Sequence, residues 1–161
     1  MTNHAHHPAG VDTMERIEQA TAEDIPQLAD LLTLLFTQEA DFRPDRKRQM
    51  HGLRLIVEAP DRGRIFIARI GGKIVGMVSL LFTVSTAEGG PACWLEDMVV
   101  RPDQRGNGVG SRLLEHAVRY AKLHGVTRIT LLTDQTNEQA LRFYQRHGFR
   151  PSAMMPLRLH W

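Results

Sequence analysis

The sequence predicts an α/β domain whose sheet contains a parallel pair of strands. Three observations carry that expectation. The run "CWLEDMVV" (93–100) is a strand with an almost unbroken apolar tail. Val109, Leu113, Leu114, Ala117, Val118 and Ala121 then recur at helical spacing until Gly125 ends the pattern. "VTRITLLT" (126–133) follows as a second strand. Strand, helix and strand at this spacing form a βαβ unit, which requires parallel strands.

The other elements are set by their punctuation. "ERIEQA" (15–20) is a short strand candidate, and "TAED" (21–24) is a capping box opening a helix with the apolar stripe Ile25, Leu28, Leu31, Leu32 and Leu35. That helix should end near Glu39. The charged connection "DFRPDRKRQ" (41–49) leads to a second helix with Met50, Leu53, Ile56 and Val57 on one face and Pro60 beyond its end. "RIFIARI", the turn "GGK" and "IVGMVSLLFTV" read as a hairpin, and "STAEGGP" (85–91) as a loop rich in breakers. "NEQALRFYQRH" (137–147) is a further helix stopped by Gly148. "FRPSAMMPLRLHW" returns as a last strand broken by prolines. No internal repeat or second domain is visible, so 14–161 is expected to be one domain behind a flexible tail, 1–13, whose His4, His6 and His7 sit among residues that cannot repay ordering entropy.

Composition excludes several classes of function. A chain of 161 residues buries a core without disulfides or metals. Its 20 Lys+Arg against 18 Asp+Glu leave a net charge of +2, too little for a nucleic-acid coat. The single cysteine, Cys93, rules out an internal disulfide and a cysteine-cluster metal site, and no metal centre is expected. The longest apolar run, "IVGMVSLLFTV" (74–84), is too short to span a bilayer, and the N-terminus lacks the apolar region of a secretory signal. A soluble cytoplasmic protein is the expectation, with neither nucleic acid nor membrane as partner; a homodimer is compatible with the sequence but not required by it.

The chemistry is concentrated in "RPDQRGNGVG" (101–110), which joins the first of the parallel strands to a helix N-terminus. Unpaired N–H groups and the positive end of the helix dipole make that junction a site for phosphate oxygens. Gly106, Gly108 and Gly110 would let the backbone approach those oxygens without a Cβ in the way. A nucleoside-triphosphate loop would need Lys and Ser/Thr after its last glycine, and "GVGSR" has no Lys there. The dinucleotide fingerprint would need glycine at 111, which is Ser111. A diphosphate binder of another kind remains.

"VVRPDQRGNGVGSRLL" resembles the acetyl-coenzyme A loop of the GNAT superfamily of N-acetyltransferases, whose Gln/Arg-x-x-Gly-x-Gly/Ala pattern is filled by Gln104, Arg105, Gly106, Asn107, Gly108, Val109 and Gly110. "TNEQALRFYQRHGF" resembles the same superfamily's later helix carrying Asn and Tyr before a Gly-Phe turn, and "WLEDMVV" is more locally similar to a strand of diamine and amino-sugar-phosphate acetyltransferases. The resemblance implies a mixed sheet of about six to seven strands flanked by about four helices, with two splayed parallel strands holding acetyl-CoA. It places the pyrophosphate on the amides of residues 105 to 111, Arg105 through Ser111, and the acetyl carbonyl against backbone N–H groups of Met98, Val99 and Val100, where the family's strand bulges. Asn137 would both cap its helix and touch the cofactor.

What it implies chemically is transfer of an acetyl group from acetyl-CoA to a primary amine, of a small molecule, by direct attack in a ternary complex. An alkylammonium with a pKa of about 10.4 must lose a proton before it attacks, and the departing thiolate gains from a donor. Glu96 is the candidate base, through water, with Asp97 the alternative; neighbours in a strand face opposite ways unless a bulge intervenes. Tyr144 is the candidate acid, against the reading of a core aromatic. Cys93 reads as a buried inert thiol rather than a nucleophile, and "RPDRKR" as a solvated helix start. Two other functions stay open: a protein lysine or N-terminal acetyltransferase, and a catalytically silent acyl-CoA-binding module. Glu39 and Asp41 suit a cationic acceptor; Arg43 and Arg46 suit an anionic one.

Overall fold

The computed structural model describes residues 14–39 and 41–161, so the expected tail and its three histidines lie outside the described residues. The chain runs β1 (Glu15–Gln19), a 3-10 turn (Ala22–Asp24), α1 (Ile25–Gln38), α2 (Arg46–Val57), β2 (Gly63–Ile70), β3 (Lys73–Ser85), β4 (Gly90–Val100), α3 (Val109–Leu123), β5 (Ile129–Leu131) and α4 (Glu138–Arg146). The strands lie in the order β1-β2-β3-β4-β5. Only β4 and β5 are parallel, as the βαβ reading requires.

Helices cover both faces of the sheet. Because side chains alternate along a strand, Met77 and Val99 point toward α1 and α2, where they pack with Leu28, Leu32, Leu53 and Ile67. Val78, Leu80 and Leu95 point the other way and pack with Leu113, Leu114 and Ala117 of α3. The capping box forms, with Thr21 N donating to Asp24 Oδ2 at 2.9 Å, although a 3-10 turn precedes α1. Asp24 also receives Arg69 at 2.7 Å, and Arg69 reaches Glu18 at 2.8 Å, which ties β1, β2 and the start of α1 together. Buried Gln49 joins the two first helices: its Nε2 donates to Ala29 O at 2.8 Å, and its Oε1 accepts from Asp45 N at 2.7 Å.

The "STAEGGP" loop is present as the turn 86–89, flanked by the end of β3 at Ser85 and the start of β4 at Gly90, and its Gly89 has φ +73°. One expectation about the sheet fails. Among the described residues the sheet has five strands rather than six to seven, because residues 149–161 do not form the expected last strand. Pro151 and Pro156 remove two donors from that segment, and it finds no strand to pair with among the described residues.

Candidate active site

The site is built where the parallel pair comes apart. β4 and β5 pair only through Cys93↔Ile129, Trp94↔Thr130 and Leu95↔Leu131, after which β4 runs on to Val100 paired with β3 alone. An opening between the carboxyl ends of parallel strands is where α/β sheets take their ligands. Arg101 N donates to Val75 O at 2.7 Å, and N–H groups alternate sides along a strand: the amides of Val99 and Arg101 face β3, and those of Met98 and Val100 face the opening. Val99 instead contributes its side chain to the core beneath α1.

The register between β3 and β4 shifts between Met77 and Ser79, so one extra residue of β4 bulges there. That residue is Asp97, whose φ of +52° makes it the one non-glycine left-handed residue among those described. The bulge resets the alternation: Leu95 and Met98 both face α3, while Glu96 faces the opposite side across from Ser79.

Around the opening the chain gathers acids from separate elements. Half-buried Asp97 has its carboxyl raised to about 7, by burial first and then by Glu96 and Glu39. Glu39, just past the end of α1, is raised by burial and by Glu96, Asp41 and Asp134. Tyr144 on α4 is pushed up to about 12, by burial and then by Glu39. Glu96 itself is exposed. None of Glu39, Glu96 and Asp97 makes an ion pair among the described residues, whereas Asp41 meets Arg158 at 3.2 Å. Sequence reasoning missed Asp134; the signal was its position just beyond the carboxyl end of a strand in a βαβ unit.

On the other side of the opening lies the glycine loop. Gly106 and Gly108 have φ of +83° and +78°, and Gly108 is the N-cap of α3. Arg112 braces the loop, donating to Asn107 O at 3.0 Å while it pairs with Glu15 of β1 at 2.5 Å. Arg105 Nε donates back to Val100 O at 3.2 Å. At Gly110 a Cβ would lie 3.5 to 3.6 Å from Val100, Met98 and Phe143, so its α-carbon faces β4 and α4. Val109 is buried beside Ala68 and Val75, and Ser111 Oγ lies 3.0 Å from His147 Nε2. Asn137 caps α4, accepting from Ala140 N at 3.1 Å. Cys93 is buried with its thiol raised to about 11 by burial, the state of an inert thiol. No cluster of three His, Cys, Asp or Glu fit to hold a metal ion occurs among the described residues, and no helix there is long and apolar enough to cross a membrane.

This arrangement is matched at the level of family. The acetyltransferase (GNAT) family model covers residues 25–149. The chain belongs to that family. Among its relatives, the aminoalkylphosphonate N-acetyltransferase of Salmonella typhimurium is 29% identical over 136 residues, 84% of this chain and 85% of that protein. Glucosamine 6-phosphate N-acetyltransferase of Trypanosoma brucei brucei is 33% identical over 88 residues, 54% of this chain and 58% of that protein. The match extends over 40%, 58% and 57% of three such curated relatives' own lengths. Among solved structures, an integron cassette protein from a salt-marsh metagenome superposes with a TM-score of 0.79 at 27% identity, covering 94% of this chain and 92% of the other. The GNAT chain shares that fold.

Proposed function

We propose that this GNAT protein transfers an acetyl group from acetyl-CoA to the primary amine of a small, positively charged molecule, by direct attack in a ternary complex. The observation that carries the reading is the opening between β4 and β5, with left-handed glycines on one side and uncompensated carboxyls on the other. The residues suit the cofactor. Gly106 has open space where a Cβ would stand and left-handed Gly108 turns the chain into the positive end of α3, with the amides of residues 105–111 to meet a pyrophosphate and those of Met98 and Val100 to meet the pantetheine arm and acetyl oxygen. When bound, acetyl-CoA supplies a thioester whose carbonyl carbon the amine nitrogen attacks.

The chain's own groups move the protons. Asp97 takes the ammonium's proton, since its raised carboxyl is poised near neutral pH, and exposed Glu96 holds the cation beside it. Tyr144 donates a hydrogen bond to the departing sulfur rather than its proton. With the phenol at about 12 and a thiol near 8.5, full transfer would be uphill by roughly 5 kcal/mol.

The names of two relatives suggest an acceptor carrying a phosphate or phosphonate. The charges of this chain favour a cation instead: Arg46 is engaged by Asp30, and Arg43 alone stands against Glu39, Glu96 and Asp97, which make no ion pair among the described residues. Coenzyme A release by the pure protein, measured over polyamines, aminoglycosides, amino-sugar phosphates, amino acids and peptides, tests the proposal. Turnover of the polycations is expected. Preference for the phosphorylated amines would reverse the acceptor assignment, peptide turnover would make it a protein acetyltransferase, and binding without any turnover would make it a silent module.

A further inference from the structure

The guanidinium of Arg112, in the first turn of α3, is held on two sides and bare on the third. Its Nε donates to Glu15 Oε2 at 2.5 Å and its Nη2 to Glu15 Oε1 at 2.8 Å, the two-pronged pairing of a planar fork with a carboxylate. Nη2 also donates to Asn107 O at 3.0 Å. Of the five N–H groups of a guanidinium these contacts use three, and the two left over are both on Nη1. Nη1 meets no acceptor among the described residues. It stands against the α-carbon of Gly108, 2.7 Å from where a Cβ would be.

That place is the entrance to α3. Gly108 is its left-handed N-cap, and the first helical bond runs from Arg112 N to Gly108 O at 3.1 Å. The N–H groups of residues 109 to 111 lie ahead of that bond with no backbone acceptor among the described residues. An anion arriving there meets these donors and the bare edge of Arg112 together. The arm is also held ready for it. Glu15 belongs to β1 and is in register with Ile70 of β2, so the sheet fixes the plane of the guanidinium and little side-chain entropy is left to lose on binding. Gly108 thus answers two demands. A left-handed N-cap by itself would admit asparagine, whereas Nη1 against the α-carbon leaves room for glycine alone.

We propose that Arg112 determines specificity for the nucleotide half of the cofactor, with Nη1 donating to a pyrophosphate oxygen and Glu15 as the residue that positions it. The assignment rests on the acetyl-CoA reading above and adds to it a side chain from outside the glycine pattern. It separates acetyl-CoA from pantetheine thioesters that lack the pyrophosphate, because a donor aimed at phosphate contributes nothing to a ligand without one.

The test is calorimetric titration of the full chain with acetyl-CoA and, up to millimolar concentration, with S-acetylpantetheine, alongside thermal unfolding of each variant without ligand. Arg112→Gln should weaken acetyl-CoA binding by roughly ten- to a hundredfold and leave S-acetylpantetheine unchanged. Arg112→Lys should recover part of the loss, since an ammonium keeps the charge without the fork. Glu15→Gln keeps an acceptor on β1 and removes the charge that competes with phosphate for the guanidinium, so it should bind acetyl-CoA at least as tightly as wild type. Unchanged acetyl-CoA affinity in Arg112→Gln overturns the assignment. So do equal losses for the two thioesters, or a loss in Glu15→Gln equal to that in Arg112→Gln, either of which would make Arg112 a brace of the loop and nothing more. A wild-type protein that binds neither thioester overturns the acetyl-CoA reading itself, and this assignment with it.

Discussion

At Asp97 and Tyr144 the backbone and the burial act on the chemistry together. Placing a non-glycine residue at φ +52° costs about 1 kcal/mol or more, and the bulge it creates turns Asp97 out of the alternation that would otherwise set it back to back with Glu96. If Asp97 is the proton acceptor, kcat/KM should rise through about pH 7 as its carboxyl ionises, since a base must be unprotonated to act. Asp97→Asn should remove that limb and leave activity that recovers only as free amine appears at higher pH. A variant that keeps the limb transfers the role to Glu96. Tyr144→Phe should lower kcat by roughly ten- to a thousandfold and leave acetyl-CoA affinity nearly unchanged, the signature of a contact made mainly in the transition state. Wild-type kcat in the variant would make Tyr144 a packing residue.

At the level of elements, the loop before α3 separates two uses of glycine that look alike in sequence. Gly108 is left-handed, so Gly108→Val forces a β-branched residue to φ +78° and drives its Cβ to 2.7 Å from the Arg112 guanidinium that braces the loop. Calorimetry should show acetyl-CoA binding weakened by roughly 2 kcal/mol or more. Gly110 sits inside the first turn of α3 with ordinary contact distances around its missing Cβ, so Gly110→Ala should keep cofactor affinity and raise helix stability by about 0.5–1 kcal/mol. Loss of binding in Gly110→Ala would mean that the added Cβ displaces the first turn of α3 from the strand and its amides from the cofactor. The glycine spacing was legible in "RGNGVG", but that Gly106 and Gly108 are left-handed while Gly110 is helical and faces β4 depends on φ, which spacing does not encode. The long elements were legible for the opposite reason: the stripes of α1 and α3 are set by burial against one sheet face each, a demand that periodicity records directly. β5 was read as 126–133 and is only Ile129–Leu131, because a ladder's length is decided by its neighbour and β4 leaves it after Leu95. The acidic cluster was half legible. Glu39 and Glu96 drew attention singly, while their meeting with Asp97 and Asp134 is a product of tertiary structure.

Over the whole molecule, a net charge of +2 coexists with a site whose carboxyls repel one another, so the site costs stability that the rest of the fold supplies. Asp24 works in the usual direction. Burial alone would raise its carboxyl, but the Thr21 amide and Arg69 hold it below the ordinary value, so its contribution is present at neutral pH and is lost only in acid, below about 4. Asp97 and Glu39 work the other way. The folded chain keeps a proton on Asp97 up to about pH 7 that the unfolded chain releases near 3.8, so between those values stability falls as pH rises. His116, held below 6.5 by burial and by Arg119, opposes this by favouring the unfolded chain as pH drops. A comparison of variants cancels such common contributions. Asp97→Asn, which cannot ionise, should therefore unfold at a higher temperature than wild type at about pH 8, and the gap should close by about pH 4, where wild-type Asp97 carries its proton. Following the thermal midpoint of both proteins across that range decides the point. A gap that is the same at every pH would mean that the substitution acts through packing at the bulge and that the charge of Asp97 contributes nothing to the strain of the site.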